Sequence, residues 1–306
     1  LNNGIDLDLD ETYRWGWDEL HRVNARMDAI ATAVLGFATR SDCIRSIEHD
    51  ERYTVPDGDA YIAWSEATIA KTFDALDGRV FDIPDVLHRC ESMRIPFDLA
   101  GDAYYTPPTE DFSRPGMVWH PIDGREHFPL WHALSTLFHE SVPGHHLQLG
   151  QMMYGTDMLT RFQRIGVYIP GHGEGWAMYA EGLMRELGYL EEPPYELGYL
   201  VNQALRAARV VVDIGLHCHM TIPADEAFHP GERWTPALAT EFLVANTAYD
   251  HVSARGEVDR YLGMPAQAIS YKVGERVFVE GRRRVEQRLG DRFDLKRFHT
   301  QVLHQG

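Results

Sequence analysis

From Phe128 to the end of the chain, apolar side chains recur every three or four positions with hardly a pause, and a pattern of that period can be buried only by helices packed against one another. The spacing predicts helices near 128–153, 172–188, 192–221, 235–251, 254–262, 264–289 and 293–304. Upstream, Trp17, Leu20, Val23, Met27, Ile30 and Val34 repeat in the same way, so residues 10–35 read as a helix that Gly36 ends. A second helix is expected over 59–76, with Tyr61, Trp64 and Phe73 facing inward. The texture changes between Val86 and Ile122. There the short stretches His88–Ile95, Ala103–Thr106 and Met117–His120 are broken by Pro107-Pro108 and Arg114-Pro115-Gly116, the signature of strands and turns. The fold class is therefore mainly α with a small β insert near 86–122. Glu191-Glu192-Pro193-Pro194 and His229-Pro230-Gly231 read as loops rather than linkers, and there is no internal repeat, so residues 1–306 form one predominantly helical domain.

With 44% hydrophobic and 25% charged residues the chain can build an ordinary core, which excludes a disordered or fibrous protein. Its formal charge of −17 argues against nucleic acid or an anionic membrane surface as partner. No apolar run approaches the roughly 18 residues of a membrane span, so no span is expected. Cys43, Cys90 and Cys218 are odd in number and far apart, which gives neither a disulfide framework nor a thiolate metal site and points to a reducing, cytoplasmic location. Because residue 1 is Leu, the expectation is that the sequence starts inside a longer translated product. The informative count is 16 histidines on so acidic a chain, since imidazole and carboxylate together bind divalent transition metals.

The strongest motif is His139-Glu140-Ser141-Val142-Pro143-Gly144-His145-His146. A zinc-binding helix of the His-Glu-x-x-His type works because residues four apart share a face, so both imidazoles reach one ion while the Glu faces the bound water. Here the fourth position is Pro143. On an unbroken helix His139 and His146 would share a face but stand roughly 10 Å apart along the axis, too far for one ion. Pro143 and Gly144 offer a repair: a two-residue bulge would return His145 to the place of the missing ligand. His145 is favoured on that ground, with His146 as the rival. A chance run of histidines at a kinked helix end is the bland alternative.

A catalytic zinc site takes three protein ligands, and Glu174 in Gly173-Glu174-Gly175-Trp176-Ala177-Met178-Tyr179-Ala180-Glu181 is the candidate for the third. Alone, a Glu in a first helical turn would be read as a stabiliser of the helix dipole. Glu181 lies on the same face and is expected either to orient a ligand imidazole or to face solvent. On the helix predicted at 192–221, Asn202, Arg206, Arg209, Asp213 and His217 form a polar stripe at spacings of four, three, four and four. A solvated face is the ordinary explanation, yet this one has no Lys or Glu. Arg206 and Arg209 suit capture of a substrate carboxylate, Asp213 would support the site from behind, and His217 could donate to a reacting oxyanion.

These motifs together resemble the bacterial family catalogued as domain of unknown function 885, which is grouped with the gluzincin zinc metallopeptidases. The likeness extends to Tyr104-Tyr105-Thr106-Pro107-Pro108, Arg114-Pro115-Gly116, the Arg206-to-His217 stripe, Gln267-Ala268-x-Ser270-Tyr271-Lys272-x-Gly274 and Phe298-His299-x-x-Val302-Leu303, in family order. The resemblance implies the multi-helical cleft of neurolysin-like peptidases, with one zinc per chain held by two His and a Glu. It also implies that the chain is the C-terminal catalytic half of a longer protein, against which an absent N-terminal segment packs as part of the cleft wall. Tyr271 corresponds to a late-helix residue that stabilises the oxyanion in gluzincins, and Tyr104, Tyr105 and Arg114 could hold an extended peptide.

The expected chemistry is hydrolysis of a peptide or small amide. Zinc on His139, His145 and Glu174 would activate water, Glu140 would move its proton, and Tyr271 with His217 would stabilise the oxyanion. Two other readings stay open: an amidohydrolase that tailors small molecules, and a metal-free scaffold, which the proline in the motif keeps in view.

Overall fold

The computed structural model describes residues 2–96, 102–122 and 124–306. Eleven α-helices lie among them: α1 (Leu9–Ala29), α2 (Arg40–Glu48), which was not expected, α3 (Gly58–Leu76), α4 (Ala133–Glu140), α5 (His145–Tyr154), α6 (Pro170–Glu186), α7 (Pro193–His217), α8 (Pro236–Asn246), α9 (His251–Gly263), α10 (Ser270–Leu289) and α11 (Leu295–Leu303). Their starts are local chemistry. Asp8, Thr39, Asp57, Thr235, Asp250 and Asp294 each accept from a backbone N–H in the first turn, which stabilises a helix by about 1 kcal/mol, whereas α6 and α7 open with Pro170 and Pro193, whose missing donor costs nothing there.

The three strands expected in the insert are present as β2 (Cys90–Arg94), β3 (Tyr104–Thr106) and β4 (Gly116–His120), after β1 (Thr54–Val55) and before β5 (Phe128–Pro129). β4 is central, parallel to β2 and antiparallel to β3, and β1 pairs separately with β5. Residues 97–101 of the insert lie outside the described residues. Two expectations about helices are corrected. The helix predicted over 128–153 is broken in two, with Phe128 and Pro129 in a strand, and the helix predicted from 264 starts only at Ser270.

The core is centred on α6 and α7, which are buried around most of their circumference: Trp176, Met178 and Ala180 on α6 and Val210, Val211 and Val212 on α7 have no exposed surface. The polar stripe of α7 is no solvated face, since Arg209 and Asp213 are buried in it. α10 crosses α6 at Gly175 and Gly274. A Cβ on Gly175 would stand 2.5 Å from the Gly274 Cα, so only two glycines allow the helices to come this close. That crossing sets Tyr271, one turn before Gly274, above the residues α4 and α6 bring together. No helix among the described residues is long and apolar enough to cross a membrane.

Candidate metal centre

α4 ends at Glu140 and α5 begins at His145, and the hydrogen bonds between them measure the interruption. The Phe138 carbonyl accepts from the Gly144 N–H at 3.0 Å, six residues on, where an unbroken helix would use the residue four on. Two extra residues are thus looped out, as the proline predicted. The Gly144 backbone passes so close to the His139 carbonyl that any Cβ there would overlap it. The Pro143 carbonyl, stranded by the break, accepts from the fully buried Trp176 indole N–H at 2.8 Å, which pins the bulge to α6. On a straight helix six residues separate side chains by ~9 Å along the axis. Here the His139 and His145 rings are 4.8 Å apart, edge to face.

His139, His145 and Glu174 are all buried, and one donor atom from each lies within 4.8 Å of the others. Nε2 of His139 and Nε2 of His145 each stand 3.4 Å from the same Glu174 oxygen, Oε2. That is long for a hydrogen bond. It matches the ~3.3 Å edge of a tetrahedron whose ligands bond to zinc at about 2.0–2.1 Å. The donor set, two imidazoles and a carboxylate oxygen, therefore fits a zinc ion in type and in two of its spacings. Behind His139, the fully buried Glu181 carboxylate accepts from Nδ1 at 2.8 Å and from the Ser135 hydroxyl, which turns the Nε2 side of the ring towards Glu174. The Nδ1 of His145 is buried with no partner among the described residues.

Neighbouring charges outweigh burial at His139 and at Glu174. Burial alone would lower the His139 pKa, but the carboxylates of Glu174 and Glu181 on its two nitrogens outweigh it and raise the value to about 10. Burial would push Glu174 up, yet the two imidazoles hold it well below the carboxylate range. Glu140, also buried, is pushed up by desolvation against the pull of His139 and His145, and no hydrogen bond from a described residue reaches its carboxylate.

Tyr271 stacks on His139, ring centres 6.2 Å apart and planes 19° from parallel, and its hydroxyl makes no hydrogen bond among the described residues. The guanidinium of Arg206 lies 5.6 Å and that of Arg209 4.8 Å from its ring centre. Other expected residues have different partners. His146 commits both nitrogens, Nε2 donating to the Leu87 carbonyl at 2.7 Å and Nδ1 accepting from the Tyr105 hydroxyl at 2.9 Å, so neither is available beside Glu174. Tyr105 is thereby a prop for His146 rather than a peptide contact, while Tyr104 stacks on Trp119. Arg114 donates to the carbonyls of Pro107 and Pro115 and ties its own turn. Arg209 is paired with Glu257 at 2.8 Å and bonded to the Tyr261 hydroxyl. His217 donates from Nε2 to the Tyr261 carbonyl, 3.2 Å from Asp213, and Asp213 accepts from the Ala266 N–H in the loop that leads into α10.

One residue had no signal in the sequence. Tyr168 precedes α6 and donates to Glu174 Oε1 at 3.0 Å, so the two carboxylate oxygens are divided, one to the tyrosine and one to the imidazoles. A cavity of about 430 Å³, walled by Met152, Val167, Ile169 and Phe278, borders the cluster through Tyr168 and Gly173.

Comparison with known proteins gives a fold and a family but no chemistry. A family model described as "Bacterial protein of unknown function (DUF885)" matches residues 1–306. No curated protein matches. Among solved structures, one described as "the putative lipoprotein from Colwellia psychrerythraea" superposes with a TM-score of 0.86 at 28% identity, over 100% of this chain and 51% of its own. Another, described as "a putative lipoprotein of unknown function from Shewanella oneidensis", has a TM-score of 0.78 at 19% identity, over 99% of this chain and 57% of its own, and shows the fold alone. This chain spans about half the length of either.

Proposed function

The chain belongs to the bacterial family of unknown function DUF885, and from that premise we propose that it is a zinc-dependent hydrolase of amide bonds in peptides or small peptide-like substrates, a gluzincin built on the helical architecture of neurolysin-like peptidases. The observation that carries the reading is the meeting of His139, His145 and Glu174 around one point, with Glu181 fixing the first imidazole and the buried Glu140 beside it. One zinc per chain held by those three side chains would lower the pKa of a water and polarise the scissile carbonyl.

The protein's own groups supply the rest. Glu140, a buried carboxyl whose pKa is raised, suits a base that takes a proton from water and returns it to the leaving amine. The hydroxyl of Tyr271, without a hydrogen bond among the described residues, can donate to the oxygen on which charge develops. Tyr168 holds one Glu174 oxygen so that the other faces the imidazoles. Arg209 and Asp213 act at a distance, the first packing under the Tyr271 ring and the second fixing the loop before α10.

The bulge accommodates the proline that spoke for a metal-free scaffold, which supports the metal-binding reading over it. A small-molecule amidohydrolase would use the same residues. Incubation with an unbiased peptide library and with blocked amino-acid amides, each with and without a chelator, separates them: chelator-sensitive cleavage of peptides is expected, cleavage of the blocked amides alone would favour the tailoring enzyme, and no cleavage of either would contradict a hydrolase. The lipoprotein wording attached to the 28%-identical neighbour supports the cell envelope over the cytoplasm, which fractionation of the native host tests.

A further inference from the structure

Two arginines of α7, one turn apart, share the face of Tyr271 but differ in how their charge is balanced. Arg209 is 4% exposed and neutralised by Glu257, with the Tyr261 hydroxyl as a further partner. Arg206 is half-buried, its Nε is shielded from solvent without a hydrogen-bond partner, and among the described residues it makes no ion pair. On a chain with 46 acidic side chains to 29 basic ones, that is a departure: the buried Lys272 is met by both Glu19 and Glu275. A guanidinium partly removed from water and left without an anion is costly unless something else supplies the anion. The acidic group of the cluster that feels its field is Glu140, which lies beyond ion-pair distance.

Resting on the hydrolase reading, we propose that Arg206 is the recognition group for a free carboxylate of the substrate, so that the site acts on peptides or N-acyl amino acids at their C-terminal end. The placement sets how far that carboxylate can stand from the bond that breaks. Arg206 lies 5.6 Å from the centre of the Tyr271 ring and that ring 6.2 Å from the centre of His139. Even laid end to end these steps span no more than about three extended residues at ~3.5 Å each between His139 and the guanidinium. The planar fork of Arg206 meets a carboxylate with two parallel hydrogen bonds, and an amidated C-terminus offers it one acceptor and a misplaced donor.

The test uses zinc-loaded protein and two matched mixtures of N-acetylated di- and tripeptides, one with free C-termini and one amidated. Retention on the protein is read by equilibrium dialysis with mass spectrometry, using Glu140→Gln protein so that binding is measured apart from turnover, and hydrolysis is read separately with an intact Glu140. Free acids are expected to be retained about ten- to a hundredfold better than amides, with that preference falling to near unity in Arg206→Gln and persisting in part in Arg206→Lys, both variants unfolding at the unsubstituted temperature. Equal retention of acids and amides, no retention of either, or a preference that survives Arg206→Gln and so belongs to carboxylate on the metal, would each overturn the inference. A preference that follows Arg206 without any hydrolysis would uphold the carboxylate site and sink the hydrolase reading instead.

Discussion

Glu140→Gln lowers turnover by about a hundred- to ten-thousand-fold while zinc content stays at that of the unsubstituted protein. The substitution keeps the size and burial of the side chain and removes only its ability to take a proton. Structural damage is not the expected cause of the loss. The Glu140 carboxylate makes no hydrogen bond among the described residues, so replacing it breaks none there, and its pKa is already raised by burial, so a neutral amide relieves desolvation. Thermal unfolding should therefore be unchanged or slightly higher. Turnover retained within a few fold, with zinc verified, would remove Glu140 from the chemistry.

The second large effect separates the two adjacent histidines. His145→Ala takes away one of three ligands and should leave less than about a tenth of a zinc per chain after dialysis, with activity lost in parallel. His146→Gln should keep the metal. Its cost is in stability, on the order of 1–3 kcal/mol, because the Tyr105 hydroxyl loses a well-placed acceptor in a buried site even if the amide still donates to the Leu87 carbonyl. The reverse pattern, zinc retained by His145→Ala and lost by His146→Gln, would mean that α5 starts in a different register from the one described.

What the sequence could say about this site follows the range of the interactions that build it. The bulge was legible because Pro143 and Gly144 are local signals, and Glu181 because it falls two helical turns after Glu174. The preference for His145 over His146 followed from the same bulge, but what commits His146 elsewhere is a carbonyl and a hydroxyl that lie 59 and 41 residues away in sequence. The stripe on α7 was rightly set apart from a solvated face. Its division into an Arg206 without an ion pair among the described residues and a neutralised Arg209 required Glu257, on a helix that folds back over it. Tyr168 sits in a short apolar stretch with no helical phase, where nothing distinguishes it from packing. Helix α2 was missed for a related reason: it buries only Cys43 and Ile47, too few apolar positions to set a period. The glycines at the crossing of α6 and α10 stood inside the recognised motifs, but only the approach of the two backbones says why they must be glycine. The charge of −17 has no counterpart in the site, which contributes few of the 46 acidic side chains.

Elemental analysis of protein purified without chelators, after growth with added zinc, tests the central claim most directly. About one zinc per chain, removed by a chelator and restored stoichiometrically, is the predicted result. A protein that folds with the same thermal stability, carries no transition metal and takes up none on addition of zinc would contradict it.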